Sequence, residues 1–254
     1  MSLLNGYPLR KILKREIFLL ILCSPLVLEV AMGVVFAIMI IIMNADELVG
    51  LTDQQVEMAV LNPALQNGLI AGAVLGTLLM FLVIKWRKIP LINRKQLTRE
   101  EWKVIPGLNK QDWMFLAWYI PLSFALLTGG EILLAELFEN SEAANQIAIE
   151  EMVGIIPVWG MFLTVVIAAP ITEEWLFRGL VMFRRDTLEA SWLSVIISAL
   201  LFGLLHGPNN IPSAFSYMGM GFIFAYAAKR TQTVEAAIVY HMLNNLLGFI
   251  LLYQ

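Results

Sequence analysis

The chain has 254 residues, 59% of them hydrophobic and 15% charged, with a mean hydropathy of +0.75. Soluble proteins average about 45–50% apolar and ~25% charged residues, so an ordinary soluble domain is excluded. The net charge of −3 says little by itself, and the single cysteine, Cys23, excludes an intramolecular disulfide framework or a cysteine-based metal cluster.

A bilayer core of ~30 Å asks for about 20 apolar residues per helix. Seven segments meet or approach this: 17–43, 64–84, 113–138, 153–185, 191–206, 211–228 and 232–252. Before the first, residues 10–15 are basic, which superficially resembles a signal peptide. The run Ile17–Met43 is too long for one and lacks a small-x-small cleavage pattern, so a retained anchor is expected. After the second comes a long basic loop, 85–112, with Trp86, Trp102 and Trp113 at its edges, which reads as a cytoplasmic interfacial segment. The fifth segment is short for a crossing, so the count is seven within a range of six to eight. The predicted fold is all-α, a polytopic transmembrane helix bundle forming one membrane domain over 1–254.

Charge orients it. All 17 Lys and Arg fall at 10–15, 85–110, 178–185 and 229–230, whereas segments 44–62 and 139–152 carry eight acidic residues and no basic ones. Basic and acidic loops alternate, so the positive-inside bias puts the N-terminus in the cytoplasm and the C-terminus on the other side.

Function in such a chain is read from polar residues inside apolar helices, where a central charge costs roughly 2.5–3.5 kcal/mol on insertion scales. They are Glu29, Glu131, Glu136, Glu173, Glu174, Arg178, His206, His241, Asn244 and Asn245. Glu29, Glu131 and Glu136 fall outside any local pattern; the others form three. In Glu173-Glu174-Trp175-Leu176-Phe177-Arg178, Glu174 and Arg178 share a helical face and can pair. Glu173 points about 100° away, without an evident local partner. Phe202-Gly203-Leu204-Leu205-His206 sets an aromatic ring one turn from a histidine. His241-Met242-Leu243-Asn244-Asn245 puts His241 and Asn245 on one face.

Depth adds a constraint. Taking Arg184/Arg185, Trp192 and Arg230 as cytoplasmic markers, ~1.5 Å per residue puts Glu173 about 17 Å inside, His206 about 21 Å, His241 about 16 Å and Asn245 about 22 Å. Three helices thus bring polar groups to a common level. Just past His206, Gly207-Pro208-Asn209-Asn210 breaks the helix, and irregular backbone at that depth requires surrounding protein or a water-filled cavity. A hydrated cavity between the fourth, fifth and seventh segments follows.

A serine triad is poorly supported, with no Gly-x-Ser-x-Gly elbow and only Ser198 two turns from a histidine. A His-Glu-x-x-His zinc helix is absent. Water activation remains, with Glu173 as general base and His206 holding or polarising the water. His241 and Asn245 can supply N–H donors to an oxyanion. An alternative use of Glu173, His206 and His241 is as ligands of one Zn2+. Either route leads to hydrolysis of a peptide or amide.

Glu-Glu-x-x-x-Arg, Phe-x-x-x-His and His-x-x-x-Asn, in that order on successive helices, resemble the CPBP family. These are the CAAX-protease and bacteriocin-processing intramembrane endopeptidases, also called Abi. The resemblance covers roughly 153–250; residues 1–150 match only as additional membrane helices and a basic loop. It implies that Glu173 and His206 activate water, that His241 and Asn245 form the oxyanion site, and that Glu174 and Arg178 assist. The family is described both as metalloproteases and as acting through glutamate without metal, so zinc or no cofactor is implied equally. The expected partners are a membrane-associated peptide or protein substrate and the lipid bilayer, with no nucleic acid. The location implied is a bacterial plasma membrane. Two other classes compete: a non-catalytic immunity or regulatory scaffold, whose sign would be an eroded motif, and a proton-coupled transporter, whose sign would be repeated halves with broken helices. Neither sign is present.

Overall fold

The computed structural model describes residues 15–86, 107–138, 143–183 and 190–254. The basic cluster before Arg15, most of the basic loop including Trp102, and the markers Arg184 and Arg185 lie outside the described residues. Nine helices run through the rest, with no strand among the described residues. They are α1 (Arg15–Leu22), α2 (Pro25–Met43), α3 (Asp53–Trp86), α4 (Lys110–Phe138), α5 (Ala144–Val153), α6 (Val158–Met182), α7 (Trp192–Leu205), α8 (Ile211–Thr231) and α9 (Val234–Leu252).

Six of these, α2, α3, α4, α6, α8 and α9, are long and apolar enough to cross a membrane. Apolar side chains on their surfaces stay exposed, as with Val30, Leu126 and Leu251, a pattern that fits lipid and not water. The short fifth segment is α7, whose 14 residues span only about 21 Å. The first apolar run is not one helix. Pro25 has no N–H to continue a helix from the preceding turn, so the chain breaks at Cys23 and Ser24, with Ser24 Oγ donating to the Ile21 carbonyl at 2.6 Å. The fourth run is likewise divided: Pro157 caps α6, and the residues before it close α5.

The chain forms two compact units. One holds the described residues within Arg15–Lys88, Glu150–Thr172 and Asn245–Gln254. Here α2 and α3 touch backbone to backbone. A Cβ on Gly68 would lie 2.5 Å from the Gly33 backbone, and one on Gly76 would lie 2.6 Å from the Pro25 nitrogen. Small residues at four-residue spacing make such close packing possible where apolar lipid provides no hydrophobic drive.

The other unit holds the described residues within Ile89–Ile149 and Glu173–Asn244. The same device joins α7 to α8: a Cβ on Gly221 would meet the Ala199 carbonyl oxygen at 2.5 Å, and one on Gly203 the Met218 backbone at 2.9 Å. Hydrogen bonds tie α4 to its neighbours. Tyr119 donates to the Ile223 carbonyl at 3.0 Å, and Tyr240 to the Ile120 carbonyl at 3.1 Å. The α7–α8 connection is locally programmed, with Gly207 at φ +58 ending the helical path and Asn210 opening α8 through a capping box with Ser213.

Candidate active site

In this second unit Glu173, Glu174, Arg178, His206 and His241 come together along α6. That helix is not uniform: Phe162–Ala168 and Trp175–Met182 are π-helical, and a short α-helical stretch, Ala169–Glu174, separates them. Such widened turns recur at functional sites, and Glu173 and Glu174 sit at the junction.

Glu174 is the hub of a fully buried network. Its Oε1 accepts from Arg178 Nη1 at 2.9 Å and from His241 Nδ1 at 3.0 Å. Arg178 Nη2 donates to the Gly221 carbonyl at 2.6 Å. Glu174 and Arg178 are 0% exposed and His241 is 3% exposed. Charges this deep persist only when paired and hydrogen-bonded. Aromatic faces complete the enclosure: the guanidinium carbon lies 4.6 Å from the Phe202 ring centroid and 5.7 Å from that of Phe224. His241 stacks on Phe224 at 4.7 Å.

Glu173 turns the other way, as its position on the helix required. Its Oε2 has no hydrogen-bond partner and lies 3.8 Å from His206 Nε2, with the two side chains 21% and 16% exposed. They are the more open part of the cluster. His206 Nδ1 sits 2.8 Å from the Phe202 carbonyl oxygen. A carbonyl only accepts, so Nδ1 bears a proton, and Nε2 is the ring nitrogen that faces Glu173.

Asn245 belongs to the first-described unit, where Nδ2 donates to the Val165 carbonyl at 2.9 Å. The reason lies in the π-turn of α6. Ala169 N–H is taken by the Thr164 carbonyl, and the next residue, Pro170, has no N–H to give Val165. One of the two Asn245 amide protons satisfies the carbonyl that Pro170 leaves open. Asn244 contacts Met220 Sδ at 3.4 Å, and Ser198 donates to the Phe177 carbonyl at 2.9 Å.

No group of three His, Cys, Asp or Glu side chains among the described residues is placed to hold a metal ion. Glu173, His206 and His241 do not form such a group among the described residues. Sequence reasoning also missed α8. Gly221 accepts from Arg178, Phe224 underlies His241, and Tyr217 stacks on His206 at 4.9 Å. The available signal was the spacing of Tyr217, Gly221 and Phe224, which puts all three on one face of an apolar helix.

Fold and site define a multi-pass α-helical membrane protein with a buried carboxylate–guanidinium–imidazole cluster beside a more open carboxylate–imidazole pair. Residues 155–247 match a family model described as "Type II CAAX prenyl endopeptidase Rce1-like". Over that segment the chain is similar to the Rce1-like family. It is similar to a Bacillus subtilis protein named "Putative membrane peptidase YdiL", 28% identical over 104 residues and 41% of each chain. It is also similar to two Lactococcus lactis proteins. UPF0177 protein YbdI is 35% identical over 95 residues, 37% of this chain and 50% of that one. UPF0177 protein YvdC is 27% identical over 169 residues, 63% and 59%. The chain spans about half the length of the curated relatives it matches. No solved structure matches it significantly.

Proposed function

We propose that this protein is an intramembrane endopeptidase that hydrolyses a peptide bond of a membrane-associated protein or peptide with water activated by Glu173 and His206. The observation supporting it most directly is the 3.8 Å separation of Glu173 Oε2 and His206 Nε2. Two acceptors facing each other at that distance suit a water that donates one proton to each, over legs of about 2.8 Å. Glu173 takes a proton as the water oxygen bonds to the scissile carbonyl carbon, whose π pair moves onto oxygen. When the tetrahedral intermediate collapses, the C–N bond breaks and the leaving amine takes the proton from Glu173.

His241 is the oxyanion donor in this scheme. Its Nδ1–H is committed to Glu174, so Nε2 donates only when the ring carries both protons. Glu174 and Arg178 hold His241 and do not touch the substrate. We place the protein in a bacterial plasma membrane with its N-terminus cytoplasmic.

Membrane peptides compared between isogenic cells carrying the wild-type chain or Glu173→Gln test this reading. A precursor accumulating only with Glu173→Gln at normal protein level is expected, since general-base loss costs ~10²–10⁴ in rate. Identical peptide profiles at equal protein level would sink it.

A further inference from the structure

His206 has an unusual seat. It caps the end of α7 with non-helical dihedrals, and Gly207 follows in the left-handed region. The local backbone therefore does little to hold its ring. On its own helix the ring rests against Phe202, with centroids 4.5 Å apart, and Nδ1 meets the Phe202 carbonyl. Among the described residues the only ring from another helix that contacts it is Tyr217 of α8, nearly parallel at 23° with centroids 4.9 Å apart.

Tyr217 is itself fixed. It is buried, and the α7–α8 contact at Gly203 and Met218, one residue along, admits no extra atom. On its far side α4 presses in equally closely. A Cβ on Gly130 would meet the Phe215 ring at 2.6 Å, and one on Gly219 would meet Leu127 Cδ1 at 2.5 Å. The Tyr217 hydroxyl accepts from Asn145 Nδ2 at 3.4 Å, the long end of the hydrogen-bond range. The ring, more than its hydroxyl, is what His206 meets.

We infer that Tyr217 is a positioning residue: its ring clamps His206 against Phe202 so that Nε2 faces Glu173. The inference deepens the peptidase reading and rests on it for its consequence in catalysis. With the Tyr217 face removed, the His206 ring keeps its Nδ1 anchor but gains freedom to tilt about it, and the 3.8 Å alignment with Glu173 is no longer held.

The chain's two histidines allow a test that needs no substrate. Ring-labelled histidine in protein reconstituted in nanodiscs gives two sets of resonances, assigned by loss of one set in His206→Gln. In Tyr217→Leu the His206 set should move and broaden while the His241 set stays in place, which also controls for folding. Tyr217→Phe should restore the wild-type position. Cleavage of the precursor that accumulates with Glu173→Gln should fall roughly tenfold in Tyr217→Leu, the upper end of what an aromatic pair contributes, and recover in Tyr217→Phe. An unmoved His206 set in Tyr217→Leu, or no recovery in Tyr217→Phe, overturns the inference. Processing that survives Glu173→Gln removes the peptidase reading instead, and the His206 resonances still decide the role of Tyr217.

Discussion

Replacing Arg178 by alanine tests whether the buried network is held together by charge. Arg178 and Glu174 are both fully buried with 2.9 Å between Nη1 and Oε1. The substitution removes that bond, the 2.6 Å bond to the Gly221 carbonyl and the guanidinium over Phe202. Loss of the ring contact is worth ~0.5–2 kcal/mol. The larger effect is a carboxylate stranded without its cation, for which breaking a buried pair costs about 3–5 kcal/mol. His241 Nδ1 still holds Glu174 at 3.0 Å, so the expected loss lies near the lower value, about 3 kcal/mol. At 1.4 kcal/mol per factor of ten, the folded-to-unfolded ratio falls by about a hundredfold. Adding Glu174→Gln to Arg178→Ala replaces the stranded charge with a neutral amide and should recover about 2 kcal/mol, within the range of measured couplings. Denaturant unfolding of the purified protein in mild detergent, with wild type and both single variants alongside, reads these values. If Arg178→Ala and the double variant unfold within ~0.5 kcal/mol of each other, no charge is stranded and the network is not electrostatic in origin.

Three further outcomes follow from the same geometry. Gly221→Ala should lower the thermal midpoint, because its Cβ meets the Ala199 carbonyl at 2.5 Å and overpacking costs ~1–3 kcal/mol. Gly154→Ala, in open space, should be neutral in the same melt. Precursor cleavage should persist in chelator-treated, metal-depleted membranes, since the described residues offer no three-ligand group; loss of cleavage restored by added zinc contradicts this. Reporters fused after Gly50 should be found outside the cell and after Gln232 inside, and a cytoplasmic signal at Gly50 reverses the proposed orientation.

What was legible in the sequence was what local physics dictates. A span needs about 20 apolar residues whatever surrounds it, so the membrane helices could be located from hydropathy, short fifth segment included. The Glu174–Arg178 pair lies within one turn, so its two members could be matched before any fold was known. The end of α7 was equally local, because Gly207 and Pro208 interrupt a helix wherever they occur. Even the opposite directions of Glu173 and Glu174 follow from helical geometry alone.

Tertiary structure decided which groups meet. That His241 turns to Glu174 and His206 to Glu173 depends on how α7 and α9 pack against α6, and no spacing along the chain encodes it. The part played by α8 was hidden for a similar reason. Gly221, Phe224 and Tyr217 are apolar or weakly polar residues in an apolar helix, and they acquire roles only when glycine contacts press α8 against α7. Asn245 has a tie that no spacing along the chain announces. One of its amide protons goes to Val165, because a π-turn and Pro170 leave that carbonyl without a backbone donor. Hydropathy and helical spacing act within a turn or a span, whereas hydrogen-bond partners are chosen by whichever donors packing brings within about 3 Å.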